Sequence, residues 1–202
     1  RPYDFATGSI DGTVRLWKRC DQELSTRKYE MEDNYWACIG VLKARLGPVT
    51  MMSIGSFGLN IATAGPVTFD GHEIEIWNLE SCMDIAYFNL NFKISLESCP
   101  ISIQWLQAGN GQSMLGVLTE SELHVYSEAK IKVVHTNTGK LGQTPWFHLA
   151  SVRLFSRSSC FSWGPKGSLL LPIRDHILIY GPKIILEENK MDSYLGKIYS
   201  IK

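Results

Sequence analysis

The stretch from residue 5 to residue 17, Phe-Ala-Thr-Gly-Ser-Ile-Asp-Gly-Thr-Val-Arg-Leu-Trp, constrains the fold more than any other part of the chain. Two short apolar segments flank a Ser-Ile-Asp-Gly turn, and the second alternates apolar and polar positions before it ends in Trp17. Asp-Gly between alternating segments is the strongest short-range hairpin signal, because glycine adopts a positive φ at no steric cost. The stretch therefore predicts a β-hairpin whose second strand closes on an aromatic residue.

The same strand ending recurs three more times, which indicates a degenerate internal repeat. The four endings are Val-Arg-Leu-Trp17, Ile-Glu-Ile-Trp77, Leu-His-Val-Tyr126 and Ile-Leu-Ile-Tyr180. Their aromatic residues are separated by 60 residues (17 to 77), 49 residues (77 to 126) and 54 residues (126 to 180). Such alternation is typical of half-buried strands, and no apolar stripe at helical spacing persists over three turns.

A second sequence feature, a segment that ends in tryptophan, precedes two of these strand endings. Segments that end in Trp105 and Trp163 are each followed by a glycine-containing turn and an apolar strand, and residues 48–64 follow the same order without the tryptophan. With outer or first strands expected at 36–43, 84–92 and 146–155, the chain divides into four-stranded units. The predicted units are a half unit at 1–20, whole units at 36–80, 84–128 and 146–182, and a further strand at 197–201.

These units resemble the blades of WD-repeat proteins, which implies an all-β fold: a partial, WD-repeat-like β-propeller of about three and a half four-stranded antiparallel blades. The spacings exceed the ~40–45 residues of a WD repeat, so we expect insertions at 21–33, 131–144 and 187–196. Propellers usually have about 4–8 blades. We therefore expect sequence or a chain outside this segment to complete the ring, and a first residue that is Arg rather than Met agrees with this expectation.

The repeats depart from the family's pattern in two ways. No closing aromatic is followed by Asp, and the usual Gly-His pair before a blade is missing. The polar network that stabilises ordinary WD blades is therefore expected to be incomplete here.

Composition favours a protein-binding role over other classes. The chain has 20 Lys and Arg against 20 Asp and Glu, and a net charge of zero gives little reason to expect nucleic-acid binding. No apolar run approaches the length of a membrane span, so no direct membrane insertion is expected. Five scattered cysteines without a Cys-x-x-Cys pair favour a reducing, cytosolic setting over a disulfide framework.

The residues that could carry chemistry are better explained structurally. His72, His124 and His176 lie at different distances from their closing aromatics, so they do not form a ring of equivalent ligands. His135 and His148 have no Cys or carboxylate at zinc-ligand spacing. No Gly-x-Ser-x-Gly elbow occurs, and the glycine-rich turns lack the Gly-Lys-Ser/Thr of a phosphate loop. We expect no catalytic, cofactor or metal site.

A different role is expected for the neighbouring carboxylates. Glu73 and Glu75 alternate with apolar residues in the strand that ends at Trp77. The sequence predicts that both lie on the solvated outer face of that strand.

Aromatic and charged residues beside the predicted insertions are candidates for partner contacts. Trp36 and Trp146 each stand just before an expected first strand and next to a long loop, so we predict exposed anchors there. The polar loop 21–33 is the other candidate, with Arg27, Lys28 and Tyr29 as its contact residues; a merely solvated loop remains open. By their repeat positions, four other tryptophans are expected to pack between blades: Trp17, Trp77, Trp105 and Trp163.

Two regions resemble a particular group of propellers, the DmX-like (rabconnectin) family, which provides the large subunits of the RAVE complex. One is residues 1–20. The other is 146–182, with Trp-Phe-His-Leu-Ala, Cys-Phe-Ser-Trp-Gly-Pro-Lys-Gly and Asp-His-Ile-Leu-Ile-Tyr. Residues 99–105 and 123–126 fit the same pattern.

The resemblance implies a non-catalytic adaptor that promotes assembly of the vacuolar proton-pumping ATPase from its cytosolic and membrane sectors. Its implied partners are subunits of the pump's cytosolic sector and other RAVE components, such as a Skp-type adaptor. Its implied location is the cytoplasm, with peripheral recruitment to vacuolar or endosomal membranes. Two alternatives stay open: the propeller of a vesicle-coat or membrane-tethering scaffold, and an enzyme with a metal or hydrolase site on the central channel.

Overall fold

The computed structural model describes residues 3–20, 35–45, 47–55, 58–66, 71–82, 85–107, 113–128, 146–154, 156–164, 167–173, 176–180 and 199–201. Within these ranges the fold is all-β, with fifteen strands in four antiparallel sheets. In the same ranges, no helix has the length and apolarity needed to cross a bilayer.

The strands follow one another along the chain and pair with their neighbours, so each sheet is a simple meander. The first sheet contains β1 (Phe5–Gly8), β2 (Thr13–Cys20) and β3 (Tyr35–Lys43). The second contains β4 (Met51–Ile54), β5 (Asn60–Pro66), β6 (His72–Cys82) and β7 (Ile85–Leu96). The third contains β8 (Pro100–Gln107), β9 (Ser113–Thr119), β10 (Glu122–Glu128) and β11 (Trp146–Arg153). The fourth contains β12 (Ser162–Trp163), β13 (Leu169–Ile173), β14 (His176–Tyr180) and β15 (Tyr199–Ile201).

The sheets are arranged as blades. The first strands of the three four-stranded sheets, β4, β8 and β12, lie against one another in succession. Each sheet then extends from its first strand to its last, as blades do around a propeller axis. The all-β partial propeller expected from the sequence is confirmed.

The sheet boundaries differ from the expected blades by one strand. The strands expected to open the blades at 36, 84 and 146 instead close the preceding sheets as β3, β7 and β11. The half blade at 1–20 is accordingly a three-stranded sheet, and the strand near 197–201, expected to start a further blade, is β15 of the fourth sheet. The repeated sequence pattern predicts how often strands recur along the chain. The hydrogen bonds between strands decide where one sheet ends and the next begins.

The first hairpin forms as the Asp-Gly signal predicts. Gly12 has φ of 81°, and Asp11 accepts hydrogen bonds from the Thr13 hydroxyl (2.6 Å) and the Thr13 backbone N–H (2.9 Å). These bonds to Thr13, with smaller effects from Ser9 and Arg15, lower the pKa of Asp11 from 3.8 to about 2. A Cβ on Gly12 would lie 2.2 Å from the Arg45 carbonyl oxygen, so only glycine lets this turn dock on the connection that follows β3.

A β-bulge lies at the same place in three sheets. The register between the last two strands shifts immediately before Trp17, Trp77 and Tyr126, the closing aromatic residues of the repeat, which lie on the next-to-last strand of each sheet. In each case the last strand contains the additional residue. The repeat is thus preserved in backbone geometry even where its residues differ.

Apolar cores fill the spaces between successive sheets. Between the first and second sheets, Val14, Leu16 and Leu42 pack against Ile61 and Trp77. The next two cores have the same construction. The core between the second and third sheets includes Ala62, Ile74, Ile76, Leu115 and Val117. The core between the third and fourth sheets includes Leu118, Val125, Phe161, Leu169 and Tyr180.

Two equivalent tryptophans link the first strands of neighbouring sheets. Trp105 Nε1 on β8 donates to the Ser53 carbonyl of β4 at 3.0 Å, and Trp163 Nε1 on β12 donates to the Gln104 carbonyl of β8 at 3.1 Å. Both rings also pack against the cores between sheets, as the sequence predicts for them. A repeated side-chain bond therefore connects each of these blades to the one before it.

This repeated bond generates a prediction about stability. Trp163→Phe keeps an aromatic ring but removes the N–H, so the Gln104 carbonyl loses its donor. We expect the free energy of unfolding to fall by about 1–2 kcal/mol, measured by urea denaturation. Trp36→Phe, at an exposed position, is the matched control and should change it by less than about 0.5 kcal/mol. Equal losses in the two variants would contradict a role for the indole N–H.

Candidate interaction surface

The face of the first sheet that points away from the second sheet carries an exposed aromatic cluster; it is called the outward side below. Phe5 and Trp17 are directly opposite each other on β1 and β2, with ring centroids 6.0 Å apart and nearly parallel. The Trp36 ring on β3 meets the Phe5 ring edge-on at 4.8 Å. Trp36 is 47% exposed and Phe5 is 36% exposed. We call Phe5, Trp17 and Trp36 the aromatic face.

Strand alternation explains why this face is separate from the core. Val14 and Leu16 on β2 are buried against the second sheet, so Trp17, next along the strand, points to the other side. The bulge in β3 then brings Trp36 opposite Arg19. Trp36 is thus exposed among the described residues, and its role as a partner anchor stays a prediction.

Trp17 has no described sheet packed against it, so its expected packing between blades stays a prediction. Its Nε1 donates to the Thr7 hydroxyl at 2.9 Å on the outward side of the first sheet. In the second sheet, Trp77 Nε1 donates to the Thr63 hydroxyl at 3.2 Å, but there the pair is buried. The two pairs have the same geometry, and only the second has a described sheet packed on it.

Trp146 was predicted as an exposed anchor, and the structure contradicts this. The residue is only 6% exposed and lies in the core between the second and third sheets, with its ring centroid 5.2 Å from that of Trp105. Because β11 belongs to the third sheet, its first residue faces a neighbouring blade rather than solvent. Arg27, Lys28 and Tyr29 lie outside the described residues, so their contact role stays a prediction.

A cleft of about 670 Å³ lies between the first and second sheets, and charged residues line it. Glu75, predicted on a solvated face, is 4% exposed. Lys93, opposite Glu75 in the β6–β7 register, donates to Glu75 Oε1 at 2.9 Å and to Glu73 Oε2 at 3.0 Å. These hydrogen bonds, first that to Glu75, raise the pKa of Lys93. The solvated-face prediction was wrong for Glu75, because this side of the strand faces the first sheet, whereas Glu73 is partly exposed.

Arg45 closes one end of this cleft. The residue is 7% exposed, and its guanidinium donates to the Glu73 carbonyl at 2.9 Å and the Gly65 carbonyl at 2.8 Å. It therefore connects the segment after β3 to the β5–β6 hairpin. Sequence reasoning missed Arg45 and Lys93. The role of Lys93 could be recognised only from the β6–β7 register, which places it opposite Glu75.

A second cleft, of about 520 Å³, lies beside the third and fourth sheets. Ser98, Cys99, Glu120, Arg157 and Ser158 are among its lining residues. Arg157 and Glu120 form an ion pair between largely exposed side chains. Such pairs contribute little to stability because solvent screens them.

The described histidines are parts of strands. His124 on β10 and His148 on β11 have ring centroids 5.6 Å apart, and both rings contact Tyr126. Burial lowers the pKa of His124 from 6.5; Glu122, 3.5 Å from its Nε2, opposes this shift, and His148 adds to it. The His176 side chain and all of His135 lie outside what the structure describes.

Metal ligands and thiols can be assessed only for the described ranges. There, no group of three or more His, Cys, Asp or Glu side chains is placed to hold a metal ion. Among the same residues, the thiols of Cys38, Cys99 and Cys160 are free and exposed.

The comparisons with known proteins agree on the fold. No protein-family model and no curated protein sequence matches the chain. The chain is similar to the crystal structure of Chaetomium thermophilum Sqt1 bound to the N-terminus of the ribosomal protein L10, with a TM-score of 0.50 and 16% identity. It is also similar to a Bacteroides fragilis structure named as a 6-phosphogluconolactonase, with a TM-score of 0.51 and 10% identity.

Both matches include most of this chain but less than half of the other protein. The chain covers 41% of Sqt1 with 87% of its own length, and 48% of the Bacteroides protein with 95% of its own length. Identities this low show a shared fold and nothing about activity. The fold they share with this chain is the β-propeller.

The depressed pKa of His124 predicts a pH dependence of stability. The unfolded chain binds a proton near pH 6.5 more readily than the folded protein does, so acidification favours unfolding. We expect the free energy of unfolding to decrease as the pH falls from 7.5 through 6.5 toward the lower pKa of the folded state. Urea denaturation at pH 7.5 and 5.5 should show a smaller decrease in His124→Gln than in the wild type. An unchanged decrease would contradict a contribution from His124.

Proposed function

We propose that this chain is part of a non-catalytic propeller scaffold that binds other proteins, with Trp36 as an anchor on the aromatic face. The observation that supports the proposal is the cluster of Phe5, Trp17 and Trp36, in which two large rings are substantially exposed on a face that no described sheet covers. Exposed apolar clusters on a stable framework are typical of interaction sites, and tryptophan is enriched among the residues that dominate binding energy.

The likeness to Sqt1 supports a protein partner. That structure contains the N-terminus of a ribosomal protein bound to a propeller whose fold this chain shares in part. Propellers therefore include scaffolds that hold a segment of another protein. For this chain we propose the same mode of action, the binding of a segment of another protein, but not the ribosomal partner.

For the specific partner, we propose subunits of the cytosolic sector of the vacuolar proton-pumping ATPase together with other RAVE components. The support is the resemblance of residues 1–20 and 146–182 to the DmX-like family. The proposed role is to promote assembly of the pump's cytosolic and membrane sectors. The proposed location is cytoplasmic, with recruitment to the surface of vacuolar or endosomal membranes.

The proposed scaffold is tested by partner capture. The immobilised chain is incubated with cytosolic extract, and retained proteins are identified by mass spectrometry. We expect pump subunits to be retained, and we expect Trp36→Ala to reduce their retention about tenfold or more, as loss of a dominant anchor does. The matched control is Ile177→Ala in β14, because Ile177 is 46% exposed but belongs to the fourth sheet.

The outcomes separate the alternatives. Retention of vesicle-coat or tethering subunits instead of pump subunits would favour the alternative scaffold. Equal retention by Trp36→Ala, Ile177→Ala and the wild type would contradict the role of the aromatic face. Turnover of a phosphogluconolactone by the chain would contradict a non-catalytic function.

A further inference from the structure

Among the described residues, the first sheet lacks a strand that each of the other three sheets has. β1 corresponds to β5, β9 and β13, because each of these strands pairs with the strand that carries a closing aromatic residue. On their other side, β5, β9 and β13 pair with the first strands β4, β8 and β12. The corresponding edge of β1, which we call the inner edge, has no such partner in the part of the chain that the structure describes.

β1 is also exposed where the equivalent strands are buried. Phe5, Thr7 and Gly8 are exposed, and Ala6 is partly buried. In β9 every residue is buried, and in β5 every residue is buried except the two at its ends. Unpaired strand edges bind strands of other chains readily, because their N–H and C=O groups lack partners. The inner edge of β1 is therefore accessible to an added strand.

Ala6 and Gly8 direct their backbone groups at the inner edge. The Ser9 N–H donates to the Thr13 carbonyl at 2.9 Å, which continues the pairing of β1 with β2. Alternate residues of an antiparallel strand point their N–H and C=O groups to opposite edges, so those of Ala6 and Gly8 point away from β2. Ala64, the equivalent of Gly8 in β5, shows the occupied arrangement, since its carbonyl accepts the N–H of the residue directly before β4 at 2.9 Å.

The first strands of the other three sheets show which side chains such an occupant carries. The residue opposite the equivalent of Phe5 is large and apolar, the residue before it is polar, and the residue before that is apolar. The three segments are Met52-Ser53-Ile54, Ile103-Gln104-Trp105 and Phe161-Ser162-Trp163. The pattern expected of an added strand is therefore apolar, polar, large apolar.

The surroundings of the inner edge suit this pattern. A residue opposite Phe5 lies on the same side of the sheet as Phe5 and Trp17, so a large apolar side chain there extends the aromatic face. On the side of the second sheet, Ile54 of β4 is 37% exposed. Trp105 and Trp163 occupy the equivalent positions of β8 and β12, where each contacts the first strand of the preceding sheet. Ile54 is thus directed at the position of an added strand, which would cover it.

We propose that the inner edge of β1 binds an extended segment of a partner protein by β-strand addition, antiparallel to β1. The segment's backbone pairs with Ala6 and Gly8, and its large apolar residue packs beside Phe5. The first strands with this pattern already complete their own sheets, so a different protein supplies the segment. The inference rests on the proposed scaffold function and deepens it, because it states how a partner segment is held next to the aromatic face.

The test uses the whole 202-residue chain and a defined peptide, Ile-Ser-Ile-Gln-Trp, which has the sequence of residues 101–105 and is capped at both ends. The peptide is titrated while backbone and indole N–H resonances are followed by NMR. We expect the Ala6 and Gly8 amides and the Trp17 indole to shift, with a Kd in the micromolar to millimolar range. Bound peptide should also slow hydrogen exchange at the Ala6 and Gly8 amides, which a side-chain contact alone would not do.

Methylation of the peptide backbone tests the pairing directly. The Gly55 N–H donates to the Asn60 carbonyl at 2.8 Å, so Ser53, two residues earlier, also directs its N–H at the neighbouring strand. The peptide's Gln is the equivalent of Ser53, and N-methylation there should raise the Kd about tenfold or more, equivalent to about 1.4 kcal/mol. N-methylation at the central Ile, whose N–H faces away from β1, is the matched control and should leave the Kd nearly unchanged.

A substitution in β1 provides the mutational arm. Ala6→Pro removes an N–H from the inner edge, and proline is tolerated on edge strands where its nitrogen faces away from the paired strand. We expect this variant to bind the peptide about tenfold more weakly or worse. Ala6→Ser keeps the N–H and is the matched control, so its Kd should equal that of the wild type. Unchanged β2 and β3 resonances in both variants would show that the first sheet is intact.

Three results would overturn the inference: no binding, shifts that leave Ala6 and Gly8 unaffected, or equal affinity of the two methylated peptides. The capture experiment is independent of these results, because it compares Trp36→Ala with the wild type. Pump subunits retained through Trp36, together with no peptide binding, would leave the scaffold proposal standing and reject strand addition. Peptide binding at the inner edge without retained pump subunits would support strand addition and contradict the proposed partner.

Discussion

Burial of apolar strand faces between successive sheets is the interaction on which this structure depends. A meander of three or four short strands buries neither face when it is alone, so its apolar residues need neighbouring sheets to cover them. Ile74 and Ile76 of the second sheet, for example, become fully buried only because the third sheet covers them. The Trp105 and Trp163 indoles then fix how each blade sits against the one before it, since a hydrogen bond has a direction and apolar contact does not.

The same packing explains why polar residues inside the blades matter. Glu75 and Thr63 occupy inward positions between the first and second sheets, and both are almost fully buried. Each is matched by a partner from the same sheet, Lys93 for Glu75 and Trp77 for Thr63. Where this matching is incomplete, at Arg45 and Glu75, the space between the sheets remains open as a cleft. The packing of the first sheet against the second therefore produces both this core and the cleft beside it.

Much of the fold could be predicted from the sequence, and the limits have physical causes. The Asp-Gly hairpin, the strand periodicity and the packing of Trp77, Trp105 and Trp163 follow from local patterns and their repetition. Blade boundaries could not be predicted, because the pattern of β3 is equally compatible with pairing on either side. Trp146 and Glu75 were misplaced for a related reason: alternation separates two faces of a strand but does not say what covers each. Trp36 and Trp146 were chosen on the same ground, a position beside a long loop, and only Trp36 is exposed among the described residues.

The repeated bulge has a consequence for behaviour in solution. The extra residues Ile39, Asn91 and Leu149 all lie in the last strands of their sheets, whose outer edges have no pairing strand among the described residues. Regular, flat edges of this kind recruit strands from other molecules and promote aggregation, whereas a bulge twists the strand and interrupts its hydrogen-bonding pattern. The irregularity at the rim thus protects the assembled blades against edge-to-edge polymerisation while their inner strands stay regular enough to pack.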